Sequence, residues 1–135
     1  MKYKDSLVKT DIENLQHIQQ LVNSFYATVQ KDPLIGDIFT NRIKDWPAHL
    51  AKMYRFWQTV LLEEHTYSGS PFPPHAKMPL TAAHFNRWVE IWAETITLFF
   101  GGEKASEAKR RGEAMATMFL AKIEFYKDSN LKPLL

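Results

Sequence analysis

Tyr26, His49, His75 and Trp88 each set a polar or ligating group among apolar neighbours. An imidazole held in one direction can ligate a metal ion. A phenol or an indole N–H in a dry place can donate to a polar ligand. His75 stands in Tyr67-Ser68-Gly69-Ser70-Pro71-Phe72-Pro73-Pro74-His75-Ala76-Lys77-Met78-Pro79-Leu80, which holds four of the seven prolines. Proline fixes φ and removes a backbone donor, so no long helix crosses this stretch. A short helical piece can follow Pro73-Pro74, since proline suits the first helical position. That piece would aim the His75 ring in one direction, as a metal ligand requires. The same placement also suits a structural histidine, and residue type alone leaves both open.

Long amphipathic helices must position these groups. From Asp11 to Gln30, Ile12, Leu15, Ile18, Val22, Phe25, Tyr26 and Val29 recur at helical spacing. Thr10 or Asp11 is the expected cap, and Lys31-Asp32-Pro33 ends the run. Pro33 is expected to open a short helix through Phe39 that closes near Thr40-Asn41. A second long helix is expected from Asp45 to Glu64, with Asp45 as its cap and Pro47 in its first turn. Trp46, His49, Leu50, Met53, Trp57, Val60 and Leu61 share its inner stripe, with Phe56 at the edge. His49 thus lies on an apolar face, where a hydrogen-bonded core histidine is the plain alternative.

Thr81 is expected to open a third long helix reaching Phe100, with Phe85, Trp88, Val89, Trp92, Ile96 and Phe99 inward. Gly101-Gly102 stops it. A fourth runs from Lys104 to Lys127, with Ala108, Met115, Met118, Phe119, Ile123 and Tyr126 inward and Lys109-Arg110-Arg111 largely in water. No strand pattern or repeat is present. The fold class is therefore all-α: two helix pairs joined by an irregular middle, able to enclose a cavity. A single domain over residues 1–135 is expected, with 1–10 and 128–135 frayed.

Composition removes several classes of chemistry. The chain has no cysteine, which excludes disulfides, thiolate catalysis, iron–sulfur clusters and covalent haem attachment. A net charge of +2 gives no ground for binding nucleic acid or an anionic membrane. The opening residues lack the apolar run of a signal peptide, and no stretch is long enough to span a bilayer, so a cytoplasmic location is expected. Acidic residues fall mostly on outer faces, without the paired carboxylates of a hydrolase or a di-iron site. The 13% aromatic content suits a ring-built core or a pocket for a flat ligand.

The order of several stretches resembles the truncated haemoglobins, and within them the third group. These are Phe25-Tyr26-Ala27-Thr28-Val29-Gln30-Lys31-Asp32-Pro33-Leu34-Ile35-Gly36-Asp37-Ile38-Phe39, Trp46-Pro47-Ala48-His49-Leu50, Phe56-Trp57, Tyr67-Ser68-Gly69-Ser70-Pro71, His75 and Phe85-Asn86-Arg87-Trp88. Together they cover roughly residues 20 to 120. The resemblance implies a truncated globin, a two-over-two helical sandwich around a non-covalent b-type haem. It makes His75 the proximal iron ligand. Tyr26, His49 and Trp88 become the distal residues beside a diatomic ligand. Phe39, Met53, Phe56 and Trp88 line the porphyrin, and Lys52 partners a propionate. Oxygen, nitric oxide or a related diatomic is the implied ligand of a monomer.

Two donors beside the ligand argue against simple oxygen delivery. They suit nitric oxide dioxygenase or peroxidase-like chemistry, which would require an unidentified reductase. A cofactor-free helical domain that binds a partner protein is the alternative from another class. A metal site built from His49, His75 and His84 is a third.

Overall fold

The computed structural model describes residues 9–69 and 78–131, and His75 lies outside the described residues. The regular structure among them is entirely helical: α1 Leu15–Lys31, α2 Gly36–Arg42, α3 Trp46–Leu62, α4 Ala82–Phe99 and α5 Glu103–Leu131. The helix α1 packs on α2, α3 and α4, and α4 packs along α5. This is a two-over-two sandwich, α1 and α3 laid over α4 and α5. No described helix is long and apolar enough to cross a membrane.

The cap of α1 is Asn14, whose side chain accepts from His17 N at 2.9 Å, rather than Thr10 or Asp11. Ile12 is buried ahead of the helix, whereas Leu15, expected on the inner face, is exposed. The rest of the expected face is buried, with Leu21 added: Ile18, Leu21, Val22, Phe25, Tyr26 and Val29 form the stripe, and Leu15 lies at the exposed first residue of the helix. Burying one such large side chain contributes about 1.5–3 kcal/mol. The helix stops at Lys31, since Asp32 precedes proline and takes extended backbone, φ −72° and ψ 130°.

Pro33 sits in the turn, and α2 begins at Gly36, later than expected. A Cβ at Gly36 would lie 2.8 Å from Gln30 O and 3.0 Å from Val29 O, so α2 folds back against the backbone of α1. The Asp32 side chain, counted in sequence only as part of a helix stop, is buried. It accepts from Leu34 N and Ile35 N, both at 3.0 Å, and from Arg87 Nε on α4 at 2.7 Å. Burial pulls the Asp32 carboxyl up. The Arg87 guanidinium and the two backbone donors more than offset this, leaving it below the usual carboxylate range.

Asp45 caps α3 as expected, accepting from Ala48 N at 3.1 Å, with Pro47 in the first turn. The helix ends at Leu62 on a left-handed Glu63, φ 57°. Thr81 precedes α4, as read from sequence.

Asp11, passed over by α1, caps α5 instead. Its carboxylate accepts from Lys104 N at 2.9 Å and Ala105 N at 2.8 Å. Gly102 at φ +130° allows the approach, because a Cβ there would lie 2.6 Å from Asp11 Cγ. Residues 9 and 10 are also docked. The Thr10 carbonyl accepts from Gly101 N at 3.1 Å, and Lys9 Nζ donates to the Thr97 carbonyl. At the other end α5 continues to Leu131, past the expected fraying point. Ala108, Phe119 and Ile123 point inward, but Met118 is 45% exposed and lies outside the buried stripe.

Candidate functional site

The two helix layers do not close completely on each other. Between them lies a cavity of about 380 Å³, within the ~300–1,000 Å³ range of small-molecule sites. Its walls come from every helix. The first helix supplies Tyr26, because the same spacing that buries Phe25 and Val29 turns the phenol inward. From α2 come Phe39 and Arg42. From α3 come His49, Lys52, Met53, Phe56 and Trp57, at i, i+3, i+4, i+7 and i+8; all but Lys52 belong to the stripe, or its edge, read from the sequence. Trp88 and Trp92 enter from α4, and Met115, Ala116 and Phe119 from α5. All the candidate pocket residues within the described chain thus face one space.

Aromatic edges lock the Tyr26 end. The Tyr26 ring meets His49 at 5.1 Å and 84°, Trp46 at 5.7 Å and Phe39 at 6.0 Å, all edge-on. Trp46 also meets His49 edge-on at 5.9 Å, so this tryptophan backs the pair from behind. Edge-to-face pairs at such distances each contribute about 0.5–1.5 kcal/mol beyond burial. Burial pushes the Tyr26 phenol well above its usual range, so the hydroxyl keeps its proton and can serve as a donor.

A stack of indoles forms the inner wall. Trp92 lies on Trp57 at 4.6 Å and 26° between planes, and on Trp88 at 5.9 Å and 17°. The Trp92 N–H donates to Ala108 O at 2.9 Å, which fixes the middle ring. Gly112 makes room for it, because a Cβ there would lie 2.5 Å from Trp92 Cδ1.

Sequence reasoning missed several wall residues. Arg42, in the last turn of α2, was not singled out from the sequence. Tyr67, Met78 and His84 also line the cavity. From the sequence His84 entered only as a member of a possible metal site with His49 and His75. Its Nδ1 accepts from Thr81 N at 3.0 Å, placing it in the cap of α4. The signal was present: His84 is the third residue of the helix that Thr81 opens, the position from which a capping partner reaches back. Among the described residues no group of three or more His, Asp or Glu side chains is placed to hold a metal ion.

The arrangement suits a flat, largely apolar molecule that carries negative charge. The described walls are mainly aromatic and aliphatic. Their charged or titratable members include Arg42, Lys52, His49 and His84, and none is Asp or Glu.

An all-α two-over-two sandwich that closes on such a cavity is the shortened globin architecture. The chain belongs to the bacterial-like globin family, whose model matches residues 11–122. It is 30% identical over 117 residues to the group 3 truncated hemoglobin ctb of Campylobacter jejuni, covering 83% of this chain and 92% of that protein. It is also similar to the crystal structure of the group III truncated hemoglobin from Campylobacter jejuni. The TM-score there is 0.77 at 29% identity, over 86% of this chain and 95% of the other. Family membership makes the chain a haem-binding globin, and the apolar, acid-free walls fit that group.

Proposed function

We propose that this protein holds a b-type haem through His75 and binds oxygen, nitric oxide or a related diatomic in the space beside Tyr26, His49 and Trp88. The observation that carries the reading is the cavity itself. It is apolar-walled, with a protonated phenol at one end, an indole stack at its side and basic side chains in its lining. Haem, when bound, would be held by His75 and would supply an iron able to bind a small diatomic ligand.

The chain's own residues set what happens to that ligand. Tyr26 donates its hydroxyl hydrogen, and the aromatic ring of neighbours around it holds the phenol in place. Trp88 can only donate, through its indole N–H. His49, edge-on to Tyr26, stands where it can donate to the ligand or restrict its passage. In a dry pocket one such bond contributes on the order of 1 kcal/mol or more. Two donors favour slow release over delivery, and they polarise an O–O bond. That suits nitric oxide dioxygenase or peroxidase-like turnover, with electrons from a separate reductase.

The visible spectrum of the protein mixed with haem tests the reading. A Soret band that titrates to one equivalent, and is lost in His75→Ala, is the expected result. A folded protein that takes up no haem overturns it. Flash-photolysis of the His49→Ala variant then separates its roles. Altered ligand association with haem retained is expected. Identical association kinetics and spectra would reduce His49 to packing.

A further inference from the structure

We propose that His84 is a binding residue for a haem carboxylate, and that the helix cap it makes fixes the proton it uses. The proposal rests on the haem reading above. A backbone N–H can only donate, so the contact of Thr81 N with Nδ1 at 3.0 Å requires a lone pair on that nitrogen. The neutral ring must therefore carry its proton on Nε2. The Thr81 hydroxyl lies 3.2 Å from the same Nδ1, so both local contacts occupy one nitrogen and leave the other uncommitted to the cap. His84 also lines the cavity, whose basic members include Arg42 and Lys52 and whose described walls contain no acid.

The residue type itself argues for a second role. Glu or Gln is the ordinary partner for a Thr cap at this third helical position. Glutamate would cap α4 but would put a negative charge on the cavity wall. Histidine accepts from Thr81 N with one nitrogen and offers an N–H donor with the other. An apolar ring system carrying carboxylates is the occupant this wall can accept and a glutamate wall would repel.

Replacing His84 by Glu separates the two roles, because Glu keeps the cap, removes the N–H donor and adds a negative charge. The readout is haem release from the reconstituted protein into an excess of a haem-scavenging apoglobin. It is run with haem and with haem whose two carboxylates are esterified. H84E should retain a Soret band and release ordinary haem about tenfold faster than the wild type, the scale of losing one hydrogen bond to a charged group. The esterified haem should leave both proteins at similar rates. Denaturant midpoints of the two apoproteins should agree, which shows that the cap survives.

Equal release of ordinary haem from H84E and wild type overturns the proposal, as does a difference that persists with the ester. If H84E folds poorly, H84Q and H84A decide, since Gln keeps both an acceptor and an N–H donor. Faster release from H84A alone, abolished by the ester, supports the proposal, and equal release from both variants overturns it. A wild-type chain that takes up no haem overturns the haem reading itself, which is a separate and visible failure.

Discussion

Tyr26 shows how one position in a helix can serve two purposes. Its ring belongs to the α1 stripe that builds the core, and its hydroxyl is the polar end of an otherwise greasy wall. Replacing it by Phe keeps the ring contacts with His49, Trp46 and Phe39 and removes only the donor. Oxygen dissociation should then quicken about fivefold, the rate equivalent of roughly 1 kcal/mol, and stopped-flow displacement would measure it. An unchanged off-rate would remove Tyr26 from the ligand's partners. Asp32 is a second such residue. Asp32→Ala should lower stability by about 1–2 kcal/mol, the scale of a lost cap, read from the urea midpoint. The Arg87 contact adds to this, though less than a fully buried pair would, since that guanidinium is 39% exposed and partly screened by water.

Local signals decided which elements were legible. Asp45 with Pro47, and Thr81 before its apolar run, act on backbone donors within a few residues, so sequence showed both helix starts. The stripes of α3 and α4 were legible for the same reason, and with them His49, Met53, Trp57 and Trp88. What sequence hid depends on distant chain. Asp11 caps a helix that begins 92 residues later, at Glu103, and no periodicity reports such a pairing. Arg42 was not singled out, and His84 only as a possible metal ligand, because the wall they join is assembled from all five helices. The need for Gly112 was hidden in the same way, because Trp92, which lies across it, comes from another helix. Gly112→Ala must displace that indole, and overpacking of this kind costs about 1–3 kcal/mol. A lowered thermal midpoint with altered tryptophan fluorescence is the expected result, and an unchanged midpoint would mean that α4 and α5 can part freely there.

Across the whole molecule, two of the described carboxylates, Asp11 and Asp32, tie stability to acid. Burial raises Asp11 as it raises Asp32, and backbone donors from Lys104, Ile12 and Ala105 then take Asp11 below its ordinary value. A carboxyl depressed in the folded state adds stability above its unfolded value, near 4, and loses it as pH falls through the folded value. Stability should therefore be level at neutral pH and decline between about pH 5 and pH 2. The Asp32→Asn variant should show a shallower decline in urea titrations across that range. A wild-type midpoint that does not move with acid would contradict these assignments.

The clasp of residues 9–11 on the α4–α5 corner reaches beyond the finished fold. A ribosome delivers this chain from its amino end, yet Asp11 finds its partners only once Lys104 and Ala105 have emerged. Until then residues 9–11 lack these partners. Assembly on the ribosome should consequently be late and concerted, with the nascent chain remaining open to proteases until most of its length has been made.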